Sequence, residues 1–174
     1  HAVGELATDT ITFAQSLDGG TILLGGSELR IDSPVTVDAS ELESLTIDAN
    51  QESRVFLATA DGGIIDSLTI TGGYSGSGGG IMNLGSMTIR ESRIGNNDAG
   101  WNGGGIYTQG ALTLVDSTIA DNMAMAGQGG GIVNSGGTLS IVGSDIVDNW
   151  ATSGGGISID RRFGGDATTT TVMS

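Results

Sequence analysis

The tetrapeptide Gly-Gly-Gly-Ile occurs four times in the second half of the chain, starting at Gly78, Gly103, Gly129 and Gly154, at spacings of 25, 26 and 25 residues. A period of this length constrains the fold more than any other feature. It means one supersecondary unit copied end to end, with each copy packed on its neighbours. Each full copy carries three short apolar pieces. The first is centred on Ile81, Ile106, Ile132 and Ile157. The second is Met87 and Ile89, then Leu112 and Leu114, then Leu139 and Ile141. The third is Ile94, Ile119 and Ile146. The second piece alternates apolar with Thr or Ser, which is the period of a strand with one face in and one out. No window carries a helical stripe of useful length.

Strands this short, separated by Gly, Asn, Asp and Ser, predict a coil of three strands and three turns. A strand of three or four residues cannot bury its own apolar side, but stacked coils can place each isoleucine on its copy in the next coil. The expected rise is about 4.8 Å per coil, which gives roughly six or seven coils and a rod on the order of 30 Å long. The fold class is therefore all-β, a parallel β-solenoid.

Offsets within the repeat place other residues in files. Ser92, Ser117 and Ser144 stand two before the third isoleucine and are expected to point inward, where a larger group would not fit. Asn97, Asn122 and Asn149 stand three after it, as expected for a ladder of amides bonding along the stack. The glycine triplets supply positive φ, or let the backbone turn tightly without a Cβ. They do not precede a helix, so they are not a phosphate-binding loop.

Residues 1–77 follow the same grammar less regularly, with Thr10–Phe13, Thr21–Leu24, Leu29–Ile31, Val35–Asp38, Leu45–Asp48 and Leu68–Thr71 as strand pieces. The expected organisation is one continuous domain: a cap and irregular first coils over 1–77, regular coils over 78–160, and a polar tail over 161–174 where a longer protein was cut. A cap is needed because an open coil end exposes unpaired edges and the apolar lumen.

The chain has 20 acidic residues, six basic residues that are all arginine, and a net charge of −14. Such a surface repels nucleic acid and anionic membranes, so nucleic acid is not an expected partner. The charge fits a protein working outside the cell, in a salty setting or with divalent cations. Absence of cysteine removes disulfides, thiolate nucleophiles and thiol metal sites. No apolar stretch reaches membrane length, so direct membrane insertion is not expected. The chain opens on His1 rather than Met, which fits a removed leader or an artificial start point.

The paired signals Gly79-Gly80-Ile81, Gly104-Gly105-Ile106, Gly130-Gly131-Ile132 and Gly155-Gly156-Ile157, each followed by Ile94–Asn97, Ile119–Asn122 or Ile146–Asn149 where the copy is complete, resemble polymorphic outer-membrane protein repeats. That family has Ala beside the glycines, and more often Phe where this chain has Ile. The opening ITFAQSLDGGTILL, with the later LTID and LTITGG, is similar to the start of bacterial secreted proteins with pectin-lyase-like right-handed β-helices. The resemblance implies a right-handed coil and a secreted or cell-surface location. It also implies a role as an adhesin or passenger module, with polysaccharide-active proteins among the longer relatives.

Catalytic chemistry has little to work with. Hydrolysis of a glycoside wants two separated carboxylates, and elimination wants a base, yet the chain has no lysine and no histidine beyond His1. Arg90 and Arg93 are the only basic residues of the regular coils. Repeat offsets put Arg90 with Val115 and Val142, Arg93 with Thr118 and Asp145, and Glu91 with Asp116 and Gly143. Glu91 and Asp116 then stand about one strand spacing apart. This is too close for the usual hydrolase pair, but suited to a raised pKa or a held cation. Arg90, Arg93, Glu91 and Asp116 are thus candidate ligand-binding residues, their plainer role being solvated surface. Asn96, Asp121 and Asp148, two after the third isoleucine, form a further column of oxygens that could bind Ca²⁺. Turn capping is its plainer role, and no other cofactor is expected. Trp101, Trp150 and Tyr107 are candidates to stack on sugar rings, or else to pack an interface.

These residues predict a non-enzymatic extracellular module with an adhesive or structural role. The alternative is a glycan-binding or polysaccharide-degrading, lyase-like module that uses calcium. Expected partners are a glycan or a host or cell-surface protein. Self-association would run through coil ends or loop aromatics.

Overall fold

The computed structural model describes residues 8–160 and 170–173. The chain winds through parallel sheets in a fixed order, so that strands neighbouring in a sheet are one coil apart in sequence. Sheet A has seven strands, sheets B and C have six each, and sheet D has four. A coil visits A, then B, then C. From the coil that contains Tyr74 onward it visits D between B and C. The result is a right-handed β-solenoid of about six turns.

The register follows the isoleucine files. Phe56, Ile81, Ile106, Ile132 and Ile157 are successive partners in sheet C. Ile47, Ile70, Ile94, Ile119 and Ile146 are partners in sheet B, and Val37, Ile65, Ile89, Leu114 and Ile141 in sheet A. Most of these side chains are fully buried in one continuous core. Each contributes roughly 2–3 kcal/mol as an upper estimate.

The fourth sheet departs from the expected three strands per coil. It forms from segments that look like loops in the sequence, Tyr74–Ser77, Asp98–Asn102, Met123–Gln128 and Trp150–Ser153. Their first two residues pair regularly, and the register then shifts between Ala99 and Asn102 and between Ala124 and Gln128. These bulges absorb residues without disturbing sheet C beyond them, and they mask the strand alternation. Thr170–Met173, within the expected tail, forms the last strand of sheet A, with Ile141 opposite Val172. Residues 161–169 and 174 of that tail lie outside the described residues.

Three turns per coil each use one residue in the left-handed region. Between sheets A and B these are Ser67, Glu91, Asp116 and Gly143. After sheet B they are Gly72, Asn96, Asp121 and Asp148, and before sheet C they are Gly78, Gly103, Gly129 and Gly154. The glycine triplet therefore divides its work. Its first member takes the positive φ. Its other two let backbones meet: a Cβ on Gly104 would stand 2.5 Å from the Met123 carbonyl oxygen and 2.6 Å from that of Gly130.

Candidate functional site

Between sheets B and C the asparagines stack in a buried file. Asn97 Nδ2 donates to Asn122 Oδ1 at 3.0 Å and to the carbonyls of Ile70 and Gly95. Asn122 Nδ2 donates to Asn149 Oδ1 at 2.9 Å and to the carbonyls of Ile94 and Ala120. Each Oδ1 also accepts a backbone amide from the preceding coil: Gly73 to Asn97, Asn97 to Asn122, and Asn122 to Asn149. A second file runs through the turn between A and B. Ser92, Ser117 and Ser144 each donate to the carbonyl two residues back, and accept from the amides of Leu68, Ser92 and Ser117 respectively. The serines thus relay hydrogen bonds between coils as well as fitting a narrow space. A third file is absent from the sequence reading: Asn83, Thr108 and Asn134, all buried, two residues after the sheet C isoleucines. Asn83 Nδ2 donates to Thr108 Oγ1 at 3.0 Å. The recurring Ile-x-(Asn/Thr) spacing was its available signal.

The serine file runs beside a polar cleft of about 430 Å³ at the corner of sheets A and B, which Ser92 helps to line. Glu43, Glu91 and Asp116 bring three carboxylates to it, Arg93 one guanidinium, and Ser67, Thr69 and Thr118 hydroxyls. They come from four successive coils. Glu91 and Asp116 share the left-handed turn position, and Arg93 lies between Thr69 and Thr118 in sheet B. Glu43 lies on an irregular segment that lines the cleft. Asp18 holds that segment, its Oδ1 accepting the amides of Glu43 at 2.8 Å and Ser44 at 3.3 Å. Neither Glu43 nor Asp18 sits in the regular repeat, so no offset could have assigned them here. Among the described residues, none of the three cleft carboxylates accepts a protein hydrogen bond. Arg93 is committed, since its Nη2 lies 2.7 Å from Asp121 Oδ2. The cleft is therefore rich in hydrogen-bond acceptors and net negative.

The other sequence candidates lie outside the cleft. Arg90 lies outside the cleft, its Nε 2.6 Å from Asp66 Oδ2. Asn96, Asp121 and Asp148 are exposed left-handed turn residues, a conformation that Asn and Asp tolerate better than most. No group of three or more His, Cys, Asp or Glu side chains that could hold a metal ion is present among the described residues. Tyr107 is buried, and its hydroxyl accepts from Gln109 Nε2 at 3.3 Å, so its ring is not open to a ligand. Trp101 and Trp150 are 64% and 54% exposed, and both lie on sheet D.

The cleft and the ladders fall within a match to the family model of the right-handed β-helix region, over residues 10–170. The chain belongs to that family. No curated protein and no solved structure matches it. No helix among the described residues of this β-helix is long and apolar enough to cross a membrane.

Proposed function

We propose that this β-helix is a non-enzymatic adhesive module of the cell exterior, and that its polar cleft receives a hydroxyl-rich ligand. The observation that carries this reading is the set of three carboxylates, unpartnered among the described residues, and adjacent hydroxyls gathered from four coils. Carboxylates accept from sugar hydroxyls or ammonium groups and repel uronates, so the ligand is a neutral or amino glycan. The resemblance to polymorphic outer-membrane repeats supports a surface location. A large acidic excess without lysine or cysteine agrees with it.

A second reading, polysaccharide cleavage, rests on Glu91 and Asp116 sharing the cleft. The arginine that an elimination would draw on, Arg93, is paired with Asp121. The test is a glycan-array screen of the full chain beside Glu91→Gln/Asp116→Asn, followed by incubation of any bound glycan with and without Ca²⁺. Adhesion predicts binding that the double variant weakens about tenfold or more, with no new reducing ends or unsaturated uronate. Turnover would replace adhesion with the degrading reading. Binding unchanged in the double variant would remove the cleft from either.

A further inference from the structure

Sheet D presents a second surface, on the other side of sheet B from the cleft. Along one outward column stand Tyr74, Asp98, Met123 and Trp150, partners in successive strands. Along the next stand Ser77 and Asn102, then Gln128 and Ser153. Between the columns lie the bulges, and the first of them carries Trp101. The inward positions Ala99 and Ala124 are fully buried, which leaves the larger side chains outside. Tyr74, Trp101 and Trp150 are 45%, 64% and 54% exposed. The chain has no tryptophan elsewhere. In a molecule of charge −14, the four strands of this sheet carry a single ionisable acid, Asp98.

The polar groups on this face are unfinished. Asn102 Oδ1 accepts the Gln128 amide at 3.1 Å and Gln128 Oε1 accepts Ser158 Oγ at 2.7 Å, yet neither side-chain NH₂ donates to a protein acceptor among the described residues. The Asp98 carboxylate accepts nothing there either. Burial pushes the Asp98 carboxyl above the usual carboxylate range. A protein partner that sealed the face with apolar side chains would strand this carboxylate and both amides. A second copy of the chain, docked on the same face, would set one Asp98 near another under a shared negative field. A ligand with hydroxyls on its rim and C–H groups on its faces meets every requirement at once.

We infer that sheet D is a binding face for an uncharged oligosaccharide, which stacks on Trp101, Trp150 and Tyr74 and hydrogen-bonds to Asp98, Asn102 and Gln128. The four strands span roughly 14 Å along the solenoid axis, room for several sugar rings laid along it. This face is separate from the cleft and does not depend on it.

Tryptophan fluorescence reads this face alone, because both tryptophans are on it. The full chain is titrated with cellohexaose, mannohexaose and N-acetylchitohexaose, with an oligogalacturonate of equal length as the charged control. Expected is a saturable emission shift with at least one neutral hexaose and none with the uronate. In calorimetry, Trp101→Ala or Trp150→Ala weakens binding of that hexaose about tenfold. Asn102→Ala/Gln128→Ala weakens it too, while Glu91→Gln/Asp116→Asn leaves the emission shift intact. Both tryptophans are exposed, so circular dichroism of the variants should match the parent. No saturable shift with any neutral hexaose would overturn the inference. So would affinity unchanged by loss of either indole, or an emission change that follows protein concentration without sugar. Loss of the response in the cleft double variant would place the site there instead.

Discussion

The first coils and the regular coils solve the same problem, closing a tight turn, with different side chains. In the first coils the turns are held by carboxylates bonding locally. Asp38 Oδ1 accepts the Ser40 amide at 2.8 Å and Asp48 Oδ1 accepts the Asn50 amide at 2.7 Å. From Asn97 onward the turn after sheet B is held by amides that bond along the stack. Hydrogen-bonding capacity and charge account for the contrast. A carboxylate only accepts, and a buried file of them one coil apart would be a column of like charges. An amide donates and accepts at once, so identical copies satisfy one another. Asparagine can therefore be repeated and buried, while the turn aspartates Asp38 and Asp48 work singly and stay half-exposed. Within the regular coils the two sit side by side: buried Asn122 follows exposed Asp121, and Asn149 follows exposed Asp148.

The sharpest way to break this contrast is Asn122→Asp. It removes the donors to Ile94, Ala120 and Asn149 and puts a charge into a buried file. Loss of about 4 kcal/mol, or failure to fold, is expected, and urea unfolding measures it. The counterpart change, Asp48→Asn in the first coils, keeps the local acceptor and should be nearly neutral in the same assay.

Next in size is Gly105→Ala. Its Cβ would meet the Gly131 carbonyl oxygen at 2.7 Å and Asn122 Cγ at 3.1 Å, so it presses on both the next coil and the ladder. About 3 kcal/mol is expected, with hydrogen exchange rising from Asn97 through Asn149. Asp18→Ala belongs to the first coils and acts locally. It frees the amides of Glu43 and Ser44 at a cost of about 1 kcal/mol. Exchange should rise in that segment while the ladder stays protected. Loss of protection across both regions would mean that the two kinds of turn are not energetically separate.

What was legible in the sequence divides along the same line. The coil, its register and the asparagine offsets could be read because identical side chains recur at fixed spacing. That spacing also put Glu91 beside Asp116 and Arg93 beside Thr118, residues the cleft brings together. Glu43 reaches the cleft through an irregular segment that Asp18 holds, where no period translates sequence position into place. Sheet D was hidden for a related reason. Its bulges shift the register, so strand alternation fails where Trp101 and Met125 emerge. Arg54 was missed as well. It is nearly buried at the first edge of sheet D, where Nε donates to the Gly78 carbonyl at 2.9 Å and Nη2 to that of Ser77 at 3.0 Å. A side chain that finishes an edge occurs once and leaves no repeat to detect.

Acid should separate the two regions, with the smallest effect of the set. In the first coils the Ser40 hydroxyl, then its amide, hold the Asp38 carboxyl below its ordinary value, with Arg90 adding a lesser attraction. Its folded pKa is lowered, so its contribution to stability is complete above the ordinary carboxylate range and is lost as pH falls through that range toward the lowered value. On sheet D, burial raises the Asp98 carboxyl. There the folded state holds its proton more tightly than the unfolded one. A penalty grows as pH rises from the ordinary carboxylate value to the raised one, and acidifying across that window relieves it. Mild acidification from neutrality should thus leave the first coils unchanged and slightly firm the regular ones. Stronger acid should loosen the first coils. Hydrogen exchange resolved by coil over a pH series, corrected for intrinsic rates, measures both. Asp98→Asn should abolish the firming and leave the acid loosening, because the two arise from carboxyls of opposite shift in different turns of the same solenoid.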